Sequence, residues 1–353
     1  MKPTVDIVLG AQYGSEAKGK VCGYLAGEYS AAVRGGAENA GHSVEFRGRI
    51  YRNQVIPVAW INPACRLYIG AGAAFSLAQL QIELGWTNAG GRLRVDPNAV
   101  IIEAKHREAE AKMNMAAGIG STVHGCGAAL IDKLWRVNGV KLARDVRELD
   151  DWTEGGMAPE ADQYRRISRR IFNHVLREEA VMLEGTQGTL LSIDHTPHYP
   201  FCTSRNVTAS AIAAENGVAP ALIRDVILVV RSLPIRVGGH SGPTGSPELT
   251  WEEVSERAGR PVEEFTTVTK KRRRIFEFNW SEMDYSVMLN QPTKIALTFA
   301  DYFGQENEGA TSVDYLNDAC MSFVRRLEGR YSVPVALIST GPQTQQMVDR
   351  RWN

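Results

Sequence analysis

One short segment limits what this chain can fold into more than any other: Gly10-Ala11-Gln12-Tyr13-Gly14-Ser15-Glu16-Ala17-Lys18-Gly19-Lys20. It follows an apolar run, Val5 to Leu9, interrupted only by Asp6. A strand that runs straight into glycines and lysines is how α/β proteins build a phosphate cradle. Glycine lets backbone N–H groups approach the anion, and lysine supplies charge. Gly14, four residues, Gly19 and Lys20 satisfy most of the P-loop pattern, but Val21 stands where a Ser or Thr would hold Mg²⁺. The segment reads as a phosphate loop of an uncommon kind, with Ser15 at its middle.

The rest of the chain repeats this theme. Leu67–Ile69 leads to Gly70-Ala71-Gly72, and Val181–Leu183 to Glu184-Gly185-Thr186-Gln187-Gly188. Ile295–Leu297 leads to Thr298-Phe299-Ala300-Asp301, and Val333–Ile338 to Ser339-Thr340-Gly341-Pro342. Val226–Val230 reads as a further buried strand. Helical patterns lie between them, at Ala99 to Ala117 and Ala161 to Glu178. Strands alternating with helices predict an α/β fold with a mainly parallel central sheet flanked by helices. Ligands bind such sheets beyond the carboxyl ends of the strands, so at least four of the post-strand loops are expected to converge on one site. No repeat or linker divides the chain, which reads as one domain over residues 1–353. The polar stretch Arg257 to Arg274 reads as a mobile loop.

Composition excludes several function classes. Forty basic residues balance forty acidic ones in 353 residues, which argues against bulk binding to nucleic acid or membrane. No apolar run approaches the roughly 20 residues that span a bilayer. Five scattered cysteines without a CxxC pair read as reduced thiols of a cytoplasmic protein.

Several polar clusters carry chemistry, each with a plainer alternative. In Asn39-Ala40-Gly41-His42-Ser43 a backbone carbonyl can face a metal and an imidazole a reacting atom, although a lone histidine is more often a structural donor. Ile119-Gly120-Ser121-Thr122 can bind phosphate or simply stop a helix. His195 and His198 flank Pro197 and lack a third nitrogen or sulfur ligand at useful spacing, which argues against zinc. Thr266 to Arg274 sets five cations in a row. In a neutral chain full of phosphate loops, a clamp for small anions is as good a reading as a localisation or RNA patch. Asp301 can accept hydrogen bonds from base N–H groups or cap a helix.

Taken in order, these segments resemble adenylosuccinate synthetase, over nearly the whole chain. The resemblance rests on the glycine loop, residues 39–43 and 119–122, Asp132-Lys133-Leu134-Trp135-Arg136, residues 184–191 and 193–195, Tyr199-Pro200, Thr203 to Asn206, the basic loop and residues 339–342. It implies the P-loop-related fold of that family. The chain is shorter than typical members, notably before Val181 and between Asp301 and Val333. The family joins aspartate to C6 of a purine monophosphate. A nucleoside triphosphate first phosphorylates the purine O6, and the aspartate amine then displaces phosphate, with Mg²⁺ as cofactor.

Carried over position by position, the resemblance implies a triphosphate site at Gln12, Tyr13, Gly14, Glu16, Ala17, Lys18, Gly19, Lys20, Gly41, His42, Ser43, Arg273, Asp301, Ser339, Thr340 and Gly341. It implies a purine monophosphate site at Ser15, Asn39, Ala40, Ser121, Thr122, Arg136, Gln187, Thr203 and Lys271, with Arg136 supplied across a homodimer interface. Val268, Thr269, Lys271 and Arg273 would hold aspartate. Ser15, His42 and Gln187 would form the catalytic group, and Ser15 and Gly41 would face Mg²⁺.

Three departures from the family pattern redirect the expected substrate. Ser15 stands where the family has the aspartate that takes the purine N1 proton. Lys271 replaces an arginine near the nucleotide ribose. Phe299 replaces a lysine in the Thr-Lys-Leu-Asp segment that holds guanine of GTP. The first two changes resemble a phage branch, the 2-aminoadenylosuccinate synthetases, which use dGMP and feed synthesis of 2-aminoadenine DNA. A small hydroxyl at Ser15 leaves room for the 2-amino group of guanine and can accept its hydrogen bond. The expected partners are therefore dGMP, L-aspartate and ATP or dATP, with GTP possible, in a cytoplasmic homodimer (the host cytoplasm for a phage-encoded chain). The rival readings are ordinary synthesis from IMP and GTP, a catalytically degenerate nucleotide-binding protein, and an RNA binder acting through the basic loop.

Overall fold

The computed structural model describes residues 1–136, 139–153, 166–266 and 272–352. Its frame is a nine-stranded sheet. In chain order the strands are β1 Val5–Gly10, β2 Ala31–Arg34, β3 Arg66–Ile69, β4 Leu93–Val95, β5 Val181–Gly188, β6 Ile223–Arg231, β7 Lys294–Thr298, β8 Val335–Ser339 and β9 Met347–Asp349. They lie side by side as β9-β8-β7-β6-β1-β5-β2-β3-β4. All neighbours are parallel except β9, which closes one edge antiparallel to β8. The mainly parallel sheet expected from the alternating pattern is therefore present.

Apolar continuity explains the placing of β1 at the centre. Every residue of the strand is buried, as a parallel strand covered on both faces requires. Val8 packs into the core on one face, with Val21, Leu25 and Ile56. Ile7 and Leu9 point to the other, with Ile171, Leu183 and Ile212. Asp6, the polar interruption, lies towards the start of β1. There its carboxylate accepts from Tyr29 Oη at 2.6 Å, Arg224 Nε at 2.9 Å and Asp225 N at 3.1 Å, so its burial is compensated.

Local structure departs from the sequence reading in two places. The helical pattern Ala99 to Ala117 is split into a short strand, Val100–Ile101, and the helices Ala104–Lys112 and Met115–Ile119. Asn114 between the helices has φ 53, a left-handed conformation that ends a helix and that asparagine tolerates. The stretch Arg257 to Arg274 is not wholly loop. Arg257 belongs to the helix Trp251–Ala258, which Gly259 terminates at φ 68, and Arg274 opens the strand Arg274–Phe276. Of the second predicted helix the described part is Ile167–Leu176. Among the described residues no helix is long and apolar enough to cross a membrane.

Candidate active site

The glycine loop is built around a carboxylate. Glu16 is fully buried. Its Oε1 accepts from Gln12 N at 3.1 Å and Gly14 N at 2.8 Å, and its Oε2 from Lys18 Nζ at 2.7 Å. Such charge-assisted bonds offset the cost of burying the charge. Wrapping backbone this tightly needs left-handed residues, and Gly14, Ser15 and Ala17 have φ 86, 58 and 61. It also needs bare neighbours: a Cβ on Gly188 would lie 2.3 Å from Gln12 O and 2.5 Å from Glu16 Oε1. The loop delivers the chain into the helix Lys18–Leu25, whose first turn has no side-chain cap. Its N–H groups and the helix dipole are thus available to an anion.

His42 begins the hairpin His42–Phe46 and Arg49–Asn53 against this helix. Its Nδ1 lies 2.6 Å from Glu184 Oε1, which Arg34 Nη1 reaches at 2.5 Å. Parallel pairing of β2 with β5 sets Arg34 opposite Glu184 in register. Val58 N donates to the other Glu184 oxygen at 2.7 Å. Arg34 Nη1 also lies 2.9 Å from Nδ1, but both reach the same Glu184 oxygen; a carboxylate only accepts, so the tautomer that serves it has its proton on Nδ1 and leaves Nε2 as the free ring nitrogen. That Nε2 is buried and has no partner. Burial and the Arg34 charge push the imidazole down to about 4 against the pull of Glu184. The ring is neutral near pH 7, and the anionic charge of a ligand would raise its proton affinity.

These elements border a single cavity of about 920 Å³, near the top of the range for ligand pockets. Loops following β1, β5, β6, β7 and β8 all reach it. Of the residues singled out in the sequence, Tyr13, Gly14, Ser15, Ala17, Lys18, Gly19 and Lys20 line it, as do Asn39, Ala40, Gly41, His42 and Ser43. So do Ser121, Thr122, Gln187, Thr203, Arg273, Asp301, Ser339 and Gly341. Gln187 approaches the glycine loop closely: its Oε1 is 3.7 Å from where a Cβ on Gly14 would lie.

Other expected site residues do not line the cavity. Gln12 spends its amide on Arg231 N and O, at 2.9 and 3.0 Å. Glu16 faces its own loop. Thr340 donates its hydroxyl to Ala310 O at 2.8 Å and is fully buried. Arg136 caps the helix Cys126–Trp135 and is exposed. Val268, Thr269 and Lys271 lie outside the described residues. Asp301 lines the cavity, but its carboxylate pairs with Arg260 Nη2, and Arg260 Nε lies 3.2 Å from Glu308. Beside it Phe299 carries the Arg231 guanidinium 3.6 Å from its ring centre. His198 bonds Glu282 at 3.0 Å.

Sequence reasoning missed Arg34 and the role of Glu184. No local pattern links them, since 150 residues separate the pair and only strand register joins it. It missed Arg236 too, which lines the cavity and lies 4.0 Å from the centre of the Tyr13 ring.

The residues expected to hold Mg²⁺, Ser15 and Gly41, both line the cavity, and a hydroxyl and a backbone carbonyl are oxygen donors that suit a hard cation. Nothing lies within 4 Å of where a Cβ on Gly41 would be, so that backbone is open to the ligand space.

Comparison with known proteins agrees with this geometry. The family model for adenylosuccinate synthetase matches residues 7–154 and 148–308. The adenylosuccinate synthetase of Methanocaldococcus jannaschii is 36% identical over 99% of this chain and 97% of its own length. That of Archaeoglobus fulgidus is 36% identical over 98% of each chain. The chain's shortness is therefore shared with archaeal relatives. Among solved structures, the cyanophage S-2L succinoaminodeoxyadenylate synthetase (PurZ), bound to dGMP and dATP as an energy donor, superposes with a TM-score of 0.81 at 27% identity, covering 99% of this chain and 96% of that one. Adenylosuccinate synthetase from Plasmodium falciparum shares the fold, with a TM-score of 0.83 at 20% identity over 98% of this chain and 99% of that one. The cradle around Glu16, the buried His42–Glu184 pair and these matches together place the chain in the adenylosuccinate synthetase family, whose members are C–N ligases for aspartate and a purine nucleotide.

Proposed function

We propose that this ligase joins L-aspartate to C6 of dGMP, using ATP or dATP, and yields N6-succino-2-amino-2′-deoxyadenylate, ADP or dADP, and phosphate. The product would feed synthesis of 2-aminoadenine DNA. In the first step the N1 proton of the purine passes to water, O6 attacks the γ-phosphorus and the nucleoside diphosphate leaves. In the second the aspartate amine attacks C6, and phosphate carries O6 away. The amide-like oxygen is a poor leaving group, and phosphorylation makes it a good one.

The residues divide this work. The helix Lys18–Leu25, Lys18 and Lys20 neutralise the triphosphate. His42 Nε2, once protonated by the approach of phosphate charge, donates to the oxygen of the transferring group, with Glu184 fixing the tautomer. Gln187 positions the purine beside Gly14. Asn39, Ala40, Ser121, Thr122 and Thr203 hold the monophosphate. Arg273, with Val268, Thr269 and Lys271, receives the aspartate carboxylates. Mg²⁺ held by Gly41, Ser15 and the phosphates would supply charge neutralisation at the γ-phosphate.

Ser15 carries the choice of dGMP. It sits in the cavity wall where an aspartate would crowd the 2-amino group of guanine, and a hydroxyl accepts a hydrogen bond from that group. The likeness to the cyanophage enzyme supports the same reading. The Arg260–Asp301 pair supports an adenine donor, since the two N–H groups on one edge of guanine would compete with Arg260 for that carboxylate. A second reading, ligation to IMP with GTP, is favoured by the 36% identity to archaeal adenylosuccinate synthetases. A panel of dGMP, GMP and IMP against ATP, dATP and GTP, read by aspartate-dependent phosphate release, decides. Faster turnover of IMP than of dGMP gives the second reading; no release with dGMP and either ATP or dATP defeats the first.

A cytoplasmic homodimer completes the proposal. Arg136 does not line its own cavity, and the neighbouring Leu134 and Trp135 are 75% and 72% exposed. An apolar pair that exposed beside a candidate phosphate ligand is what a shared site would bury.

A further inference from the structure

Glu264 lies just before the basic stretch Thr266 to Arg274 in the sequence. Its carbonyl accepts from Arg273 N at 2.9 Å, and Phe265 pairs antiparallel with Arg272. The segments 264–265 and 272–273 therefore lie side by side. The Glu264 carboxylate binds two guanidiniums at once. Its Oε2 accepts from Arg273 Nη1 at 2.7 Å. Its Oε1 pairs with Arg231 Nη2 and accepts from Tyr302 Oη at 2.7 Å. Arg231 is fully buried and donates from Nη1 to Ser15 O at 3.2 Å.

Two features give this cluster a purpose beyond packing. Two guanidiniums share one carboxylate, which leaves a net positive charge beside the cavity. Arg273 lines that cavity, and its Nε is buried without a partner. A guanidinium fixed at one nitrogen keeps the rest of its donor fork for a second carboxylate. Burial works against the Glu264 charge, yet Arg231 and Arg273 hold its carboxyl at about 2, so it stays an anion over the working pH range.

We infer that Glu264 is the positioning residue of the amino-acid subsite: it aims Arg273 at the incoming carboxylate and, through Arg231, fastens that guanidinium to the Ser15 end of the glycine loop. The inference rests on the proposed ligation and adds a residue that sets the affinity for the second substrate.

The test is steady-state kinetics of aspartate-dependent phosphate release, with the purine monophosphate that the wild-type protein uses best. Glu264→Gln should raise KM for aspartate by about tenfold or more and the KM for either nucleotide by less than about threefold. Glu264→Asp, which keeps the charge beside Arg231, should fall between the two. An unchanged KM for aspartate, or an equal rise in all three KM values, overturns the inference. If Glu264→Gln does not fold, Glu264→Asp decides: a folded variant with wild-type KM for aspartate overturns it. Wild-type protein that releases no aspartate-dependent phosphate with any of the three monophosphates defeats the ligase reading, and this inference falls with it. Release with IMP but not dGMP removes only the choice of dGMP and leaves the role of Glu264 open to the same measurement.

Discussion

At the scale of single residues, charge placement decides what each side chain can do. Ser15→Asp should lower kcat/KM for dGMP and raise it for IMP; unchanged dGMP turnover would show that Ser15 does not read the 2-amino group. His42→Ala should slow the chemical step by about 10²–10⁴, measured in a single turnover so that binding is separated from catalysis. Lys20 gives a pH signature. Its ammonium is buried and donates to Gly341 O, and to Gln346 O at 2.8 Å. Burial lowers it to about 8, against the opposing pull of Asp301. A lowered lysine loses its charge as pH rises, so KM for the triphosphate should stay flat below about 8 and rise above it. Lys20→Met should raise that KM at neutral pH and flatten the profile.

At the scale of elements, the site depends on how closely two backbones approach. The helix Lys18–Leu25 meets the strand His42–Phe46 at Gly19. A Cβ there would lie 2.7 Å from Ser43 O and 2.8 Å from His42 Cβ, too close for any side chain. Gly19→Ala should therefore cost about 1–3 kcal/mol, read from the urea midpoint, by prising the phosphate helix from the strand that carries His42. Gly41→Ala is the matched control. With nothing within 4 Å of its new methyl, its unfolding free energy should stay within about 0.5 kcal/mol of wild type.

At the scale of the whole molecule, the proposed shared site makes activity depend on assembly. Leu134→Glu with Trp135→Glu should yield a monomer by sedimentation and raise the apparent KM for the monophosphate. Arg136→Ala should raise the same KM without changing the oligomeric state. Mixing Arg136→Ala subunits with His42→Ala subunits should recover part of the lost activity, because one site of each hybrid dimer is then intact. A mixture no more active than its components would place Arg136 outside the partner's site.

Short-range sequence by itself determined the strand and glycine loop from Val5 to Lys20, the parallel α/β class and the loops that border the cavity. Backbone and phosphate chemistry need particular residues at fixed spacing, so Gly14, Lys18, Lys20 and the 39–43 segment were legible. The resemblance that they carry supplied Ser15 as the position to watch. What only the tertiary structure decided is which charges neutralise which. Glu16 reads as a ligand in the sequence and proves to be the post around which its loop is wound. Asp301 reads as a free acceptor and is paired with Arg260. Arg34 meets Glu184 through strand register, and Arg231 joins Ser15 to Glu264 through a buried guanidinium. Ion pairs of this kind act across the sheet, and their partners are fixed by the distance between elements rather than by position along the chain.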